Sequence, residues 1–239
     1  MDDVTYDEAL DWIERAIAAR SHCAVVTPNP EIVMRARGDP EFRAVLRRAC
    51  LAIPDGVGLL LAARLFGTPL REHVRGTDLV HRLAARSVAP GYRWFLLGAA
   101  EGVAEEAARA LRGAYPGLNV VGAFAGDARP EGDAETRAAI CAAGPVDVIL
   151  VAYGAGAQER WLDRNLAVLD IAVGLGIGGV LNFLAGRSPR APLWMRRLEL
   201  EWLHRLLTEP WRWRRQLALP RFAALALLHA IARAAARRA

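Results

Sequence analysis

Several short stretches place a chemically competent polar side chain directly after an apolar run. In Ile53-Pro54-Asp55-Gly56-Val57-Gly58, one carboxylate follows the apolar stretch 51–53 and precedes two glycines. An isolated Asp-Gly pair is ordinarily a turn, but a partly buried carboxylate at a ligand face can take a proton from an attacking hydroxyl as a general base. Thr27-Pro28-Asn29-Pro30 repeats the arrangement after 23–26, with Thr27 and Asn29 as the hydrogen-bonding groups. Arg75 and Asp78, in Val74-Arg75-Gly76-Thr77-Asp78-Leu79, read either as a loop ion pair beside a helix cap or as site residues. Gln158 and Glu159 either cap a helix whose Trp161 faces the core or offer an amide to a polar ligand such as a sugar or base. Farther on, Arg205, Arg212 and Arg215 surround Pro210 and the indoles of Trp202, Trp211 and Trp213. That cluster is either a solvated basic face with snorkelling arginines or a set of guanidinium forks gripping a diphosphate, with the indoles at the lipid headgroups.

These side chains need strands to present them. Apolar runs at 23–26, 51–53, 94–97, 120–124, 148–152 and 171–174 alternate with helical patterns at 57–66, 77–85, 102–112, 134–142 and 158–165. Such alternation predicts an α/β fold, a Rossmann-like, mostly parallel sheet with helices on both faces. Asn29 suits a helix N-cap with Pro30 at the first helical position, opening one helix through Arg48. In open α/β sheets ligands collect outside the carboxyl ends of the strands, which is where TPNPE, PDGVG, LGAAEG, YGAGAQE and GLGIGG fall. Neither LGAAEG nor GLGIGG completes a dinucleotide fingerprint, and a chain without lysine has no Walker phosphate loop, so no nucleotide cofactor is expected.

Composition narrows the class further. A 239-residue chain with 54% hydrophobic residues can bury one sizeable core, with or without an appendage. Residues 1–186 carry 19 arginines against 23 acidic residues, whereas 187–239 carry 12 arginines against 3 glutamates. A body over 1–186 therefore bears a cationic appendage over 187–239, of the kind that meets phosphates, nucleic acids or anionic lipid. A helix is expected beyond Pro220, with Ala224, Leu228, Ile231 and Ala235 on one side and His229, Arg233 and Arg237 on the other. Its apolar run over 222–232 is about half the ~20 residues a spanning helix requires, so it would lie on a membrane without crossing it. Cys23, Cys50 and Cys141 are widely spaced and read as reduced core residues, implying a reducing compartment and no structural zinc. The acidic, amphipathic start is unlike a secretory signal, which favours the cytoplasm.

Taken in order, TPNPEIV, PDGVGLLLAARLFG, VRGTDLV, GAQERWL and GRSPRAPLWMRRLELEWLHRLLTEPWRWRRQ resemble the WecG/TagA/CpsF family of bacterial glycosyltransferases. The resemblance implies transfer of N-acetylmannosamine or a related sugar, with inversion, from a UDP-sugar to a polyprenyl-diphosphate-linked sugar. The reaction would need no bound metal or cofactor, and its place would be the inner face of the cell membrane, in the synthesis of teichoic-acid linkage units or other surface polysaccharide. It implies Asp55 as base, Thr27, Asn29, Arg75 and Gln158 as pocket residues, and Arg205, Arg212 and Arg215 as appendage arginines, with Arg212 and Arg215 completing the catalytic set. It also implies self-association that competes with closure of the appendage. Two charges of the family pattern are missing: Gly156-Ala157 stand where Pro-Lys is usual, and Asn182 where Asp is usual. A noncatalytic module holding RNA or anionic lipid through its basic tail would suit 187–239 alone. That reading leaves the polar strand ends unexplained, so a nucleic-acid partner is not expected.

Overall fold

The computed structural model describes residues 1–210 and 213–236. Its strands are β1 (Cys23–Val26), β2 (Leu51–Ala52), β3 (Arg93–Gly98), β4 (Asn119–Phe124), β5 (Val148–Ala152) and β6 (Val173–Gly176). They form one sheet in the order β2-β1-β6-β5-β3-β4, and every pairing is parallel. The expected α/β architecture is present. The chain begins β1 and β2 on one side, crosses to β3 and β4 on the other, then fills the middle with β5 and β6, so the carboxyl ends of β1, β2, β5 and β6 lie side by side.

The side-chain alternation of the central strands explains why they are almost wholly apolar. Trp94, Leu96, Val148 and Leu150 enter one cluster with residues of helices Tyr6–Ala18, Gly76–Ser87 and Val103–Ala114. Phe95, Leu97, Ile149 and Val151 enter another with Ile140 and with Trp161 and Leu162 of helix Ala157–Asn165. Both faces are covered, so no strand position can be polar without burying an unpaired group.

Three expectations change in detail. The helix expected from Pro30 through Arg48 is two helices, Pro30–Gly38 and Pro40–Arg48. Pro40 has no N–H to continue the first helix, and Asp39 caps the second by accepting the Phe42 N–H at 2.8 Å. Strand β6 runs two residues later than expected because its glycines belong inside it. A Cβ on Gly176 would sit 2.9 Å from Gln158 Nε2, and one on Gly174 would enter the side chains of Leu162 and Leu166. The cysteine reading is corrected: Cys23 and Cys50 form a disulfide, with Cα atoms 5.6 Å apart, and Cys50 and Cys141 are exposed. Parallel pairing of β1 with β2, which sets Val25 beside Leu51, carries Cys50 next to the start of β1. Cysteine usage therefore gives no argument for a reducing compartment.

After Gly186 the chain is helical: Leu193–Arg197, Glu201–Thr208, Trp213–Gln216 and Ala218–Ala236. The last begins two residues before Pro220, which is tolerated in a first turn. It packs across helices Pro30–Gly38 and Val57–Leu65, which themselves meet closely at Gly58. A Cβ there would lie 2.7 Å from Pro30 Cγ and 3.9 Å from Phe222 Cδ1. Ala226 is buried and the His229 ring meets Phe66 edge-on at 5.4 Å, whereas Leu227, Leu228 and Ile231 are exposed. The apolar side of this helix thus faces outward. Among the described residues, no helix is long and apolar enough to cross a membrane.

Candidate active site

The loops at the carboxyl ends of β1, β2, β5 and β6 bring several of the expected residues together. Thr27, directly after β1, donates its hydroxyl to Gly176 O at 3.0 Å. Asn29 caps helix Pro30–Gly38, its Oδ1 accepting the Ile32 N–H at 2.9 Å. The Asp55 N–H donates to Pro28 O at 2.7 Å, which ties the end of β2 to the end of β1. Gly56 then turns with φ of 94° to open helix Val57–Leu65. Gly76 lies against both strand ends: a Cβ there would be 3.6 Å from Thr27 Cγ2 and 3.7 Å from Asp55 Oδ2. Thr27, Asp55 and the start of helix Gly76–Ser87 therefore share one corner, with about a third of the Asp55 side chain open to solvent.

Arg75 and Asp78 do not pair with each other; each is taken by the segment after Gly186. Arg75 Nη2 donates to Glu199 Oε1 and to Arg196 O, the latter at 3.1 Å, while Arg190 Nη2 donates to Asp78 Oδ1 at 2.6 Å. The Arg75 backbone is fixed from behind, its N–H donating to the Tyr6 hydroxyl at 2.8 Å. Burial pushes that phenol up to about 12 despite the Arg75 N–H, so it stays neutral.

Gln158 is 2% exposed and both ends of its amide are used. Its Nε2 donates to Glu159 Oε1 at 3.0 Å and its Oε1 accepts the Gly178 N–H at 2.9 Å. Thr27 and Gln158 thus grip the same loop after β6, one at Gly176 and one at Gly178. Glu159 is 1% exposed and also accepts the Gly156 N–H; burial raises its carboxyl above the usual range against these hydrogen bonds. A cation does lie beside Gly156. The Arg35 guanidinium lies against Gly156, where a Cβ would be 2.8 Å from Nε, and donates to Ala155 O at 2.6 Å.

The appendage arginines reach the body at separate points. The Arg205 guanidinium stacks on Phe183 at 4.5 Å, and Arg215 Nε donates to Glu31 Oε1 at 2.7 Å. Arg212 lies outside the described residues.

Two residues join the site without having been expected, His73 and Glu199. His73 is 11% exposed; its Nε2 accepts the Gly56 N–H at 3.1 Å and lies 3.6 Å from Asp55 Oδ1, and its Nδ1 lies 2.9 Å from Glu199 Oε2. Burial opposes its charge, but the neighbouring Asp55 and Glu199 carboxylates outweigh it and raise its pKa. The carboxylates meet opposite ring nitrogens, so the three do not converge. Among the described residues no group of three or more His, Cys, Asp or Glu side chains is arranged to hold a metal. His73 stands two residues before Arg75, and both side chains meet Glu199; that nearness to Arg75 was the available signal.

A model of the Glycosyl transferase WecG/TagA/CpsF family matches residues 1–236. The chain belongs to that family, and it is a glycosyltransferase. The N-acetylglucosaminyldiphosphoundecaprenol N-acetyl-beta-D-mannosaminyltransferase of Bacillus spizizenii is 34% identical over 205 residues, covering 86% of this chain and 79% of the relative. Proteins of the same name from Bacillus subtilis and Staphylococcus aureus are 32% and 29% identical, each covering 90% of this chain and 83% of the relative. Family membership removes the reading of the chain as a noncatalytic binding module.

Proposed function

We propose that this glycosyltransferase moves N-acetylmannosamine or a related sugar from a UDP-sugar to a polyprenyl-diphosphate-linked N-acetylglucosamine, with inversion. The observation that carries the reading is Asp55: a partly exposed carboxylate at the carboxyl end of the sheet, flanked by Thr27 and the glycine that opens helix Gly76–Ser87. The names of the relatives support the acceptor and the sugar.

In this mechanism Asp55 takes the proton of the acceptor hydroxyl as its oxygen attacks the anomeric carbon and the bond to UDP breaks. Negative charge grows on the departing diphosphate, and fixed cations in a partly dry site stabilise it more than water would. Arg205 and Arg215, with Arg212, are the groups assigned to that charge. Thr27 and Gln158 shape the β6 loop beside the donor, Asn29 holds the β1 loop through its cap, and Arg75 borders the pocket. Residues 187–239 act as the appendage that completes the site and meets the cytoplasmic face of the membrane. Exposed Leu61, Leu65, Trp194, Trp202, Trp213, Leu227, Leu228 and Ile231, interspersed with arginines, support a peripheral attachment.

A donor screen tests this: UDP release from a panel of UDP-sugars, with a short-chain polyprenyl-diphospho-N-acetylglucosamine as acceptor. Acceptor-dependent release with UDP-N-acetylmannosamine or a close relative is expected. Absence of acceptor-dependent release with every UDP-sugar refutes the donor class.

A further inference from the structure

His73 touches both Asp55 and the segment after Gly186. Its Nε2 has the Gly56 N–H at 3.1 Å and Asp55 Oδ1 at 3.6 Å, and its Nδ1 has Glu199 Oε2 at 2.9 Å. The Gly56 N–H needs the Nε2 lone pair, so the neutral ring carries its proton on Nδ1, facing Glu199. A second proton can go only to Nε2, where it takes the lone pair from the Gly56 N–H and turns the ring towards a charged contact with Asp55. Glu199 reaches its place at a cost. It has φ of 59° in the turn between helices Leu193–Arg197 and Glu201–Thr208, a conformation that a residue with a side chain adopts when its surroundings impose it. That turn delivers the two oxygens of one carboxylate to His73 and to Arg75. The turn also closes helix Leu193–Arg197, the Leu200 N–H donating to Met195 O at 2.8 Å.

We propose that His73 is a positioning residue for Asp55 and that Glu199 positions His73, so that docking of the segment after Gly186 is registered at the base through one imidazole. The inference rests on the assignment of Asp55 as base. Asp55 and Glu199 are the charged groups that act on the ring, and Arg75 shares Glu199 with it. With the ring held between them, the Asp55 carboxylate keeps one orientation and a cationic neighbour. Without Glu199 the ring loses its orienting charge, and the same defect reaches Asp55 at one remove.

The test compares wild type, His73→Gln, Glu199→Gln, the double variant and Asp55→Asn in the acceptor-dependent UDP-release assay from about pH 5 to 9, bracketing the histidine range. Glutamine at 73 keeps an acceptor for the Gly56 N–H, and Glu199 lies in a surface turn, so one variant remains informative if the other folds poorly. His73→Gln is expected to lower kcat about tenfold with both KM values nearly unchanged, the pattern of a misaligned group rather than lost binding. The fall in activity as His73 loses its second proton should be absent from the His73→Gln profile, because glutamine does not titrate. Glu199→Gln should lower kcat in the same way, and the double variant should be no worse than His73→Gln. A wild-type kcat with a superimposable pH profile in His73→Gln, or additive losses in the double variant, overturns the positioning. Wild-type turnover by Asp55→Asn refutes the base assignment instead, and an inactive Asp55→Asn beside an unperturbed His73→Gln refutes the positioning alone.

Discussion

Replacing Gln158 by methionine separates a residue that shapes the site from one that only touches ligand. The side chain is 2% exposed, so the apolar substitute fits the space, but both amide contacts go. The Gly178 N–H, bound at 2.9 Å, and Glu159 Oε1, bound at 3.0 Å, each lose a partner where water reaches poorly. A buried polar group left unpaired costs about 1–3 kcal/mol, so two give roughly 3 kcal/mol after the gain from burying the thioether. For a chain of this length that is a fall in Tm of roughly 10 °C. The loop after β6 also loses one of its two anchors, Thr27 holding the other at Gly176. Differential scanning calorimetry and UDP-release kinetics on the same preparation read both consequences: a lower Tm together with a lower kcat/KM. A Gln158→Met protein with wild-type Tm and a raised KM would refute the anchoring and make Gln158 a direct ligand contact.

Three further outcomes follow from the same geometry. Tyr6→Phe leaves the Arg75 N–H without its acceptor and should cost about 1–2 kcal/mol in urea melts; an unchanged midpoint would show that the hydroxyl does not hold Arg75. Because the folded pKa of His73 lies above its ordinary 6.5, its stabilisation is full below that value and is lost as pH rises through the raised one. Wild type should therefore lose more Tm than His73→Gln over that window, and equal losses would contradict the charged contacts to Asp55 and Glu199. Trp194, Trp202 and Trp213 are 59%, 40% and 53% exposed, so their fluorescence should shift to the blue on mixing with anionic vesicles, less so at high salt. Unchanged emission at every vesicle concentration would remove the membrane face.

Most of the scaffold was legible because its cause is local. The runs 148–152 and 94–97 are apolar at every position because both faces of the central strands are buried. What escaped depends on contacts distant in sequence. The shift of β6 is set by how closely Gln158, Leu162 and Leu166 approach two glycines. The Cys23–Cys50 pairing follows from the register of β1 with β2, which no spacing reveals. Of the site, Thr27, Asp55 and Gln158 were legible as polar residues at strand ends. His73 and Glu199, separated by 126 positions in the chain by their numbering, look ordinary until the fold puts them together. Asp78, read beside Arg75 as a local pair, proves to be held by Arg190.

The central claim is that Asp55 is the base of the transfer. Its most direct test is single-turnover sugar transfer to the lipid-linked acceptor by folded Asp55→Asn protein, compared with wild type at saturating substrates. Loss of a positioned general base is expected to slow the step by about 10²–10⁴-fold while the Tm stays near that of wild type. Transfer at the wild-type rate by the asparagine variant would contradict the account.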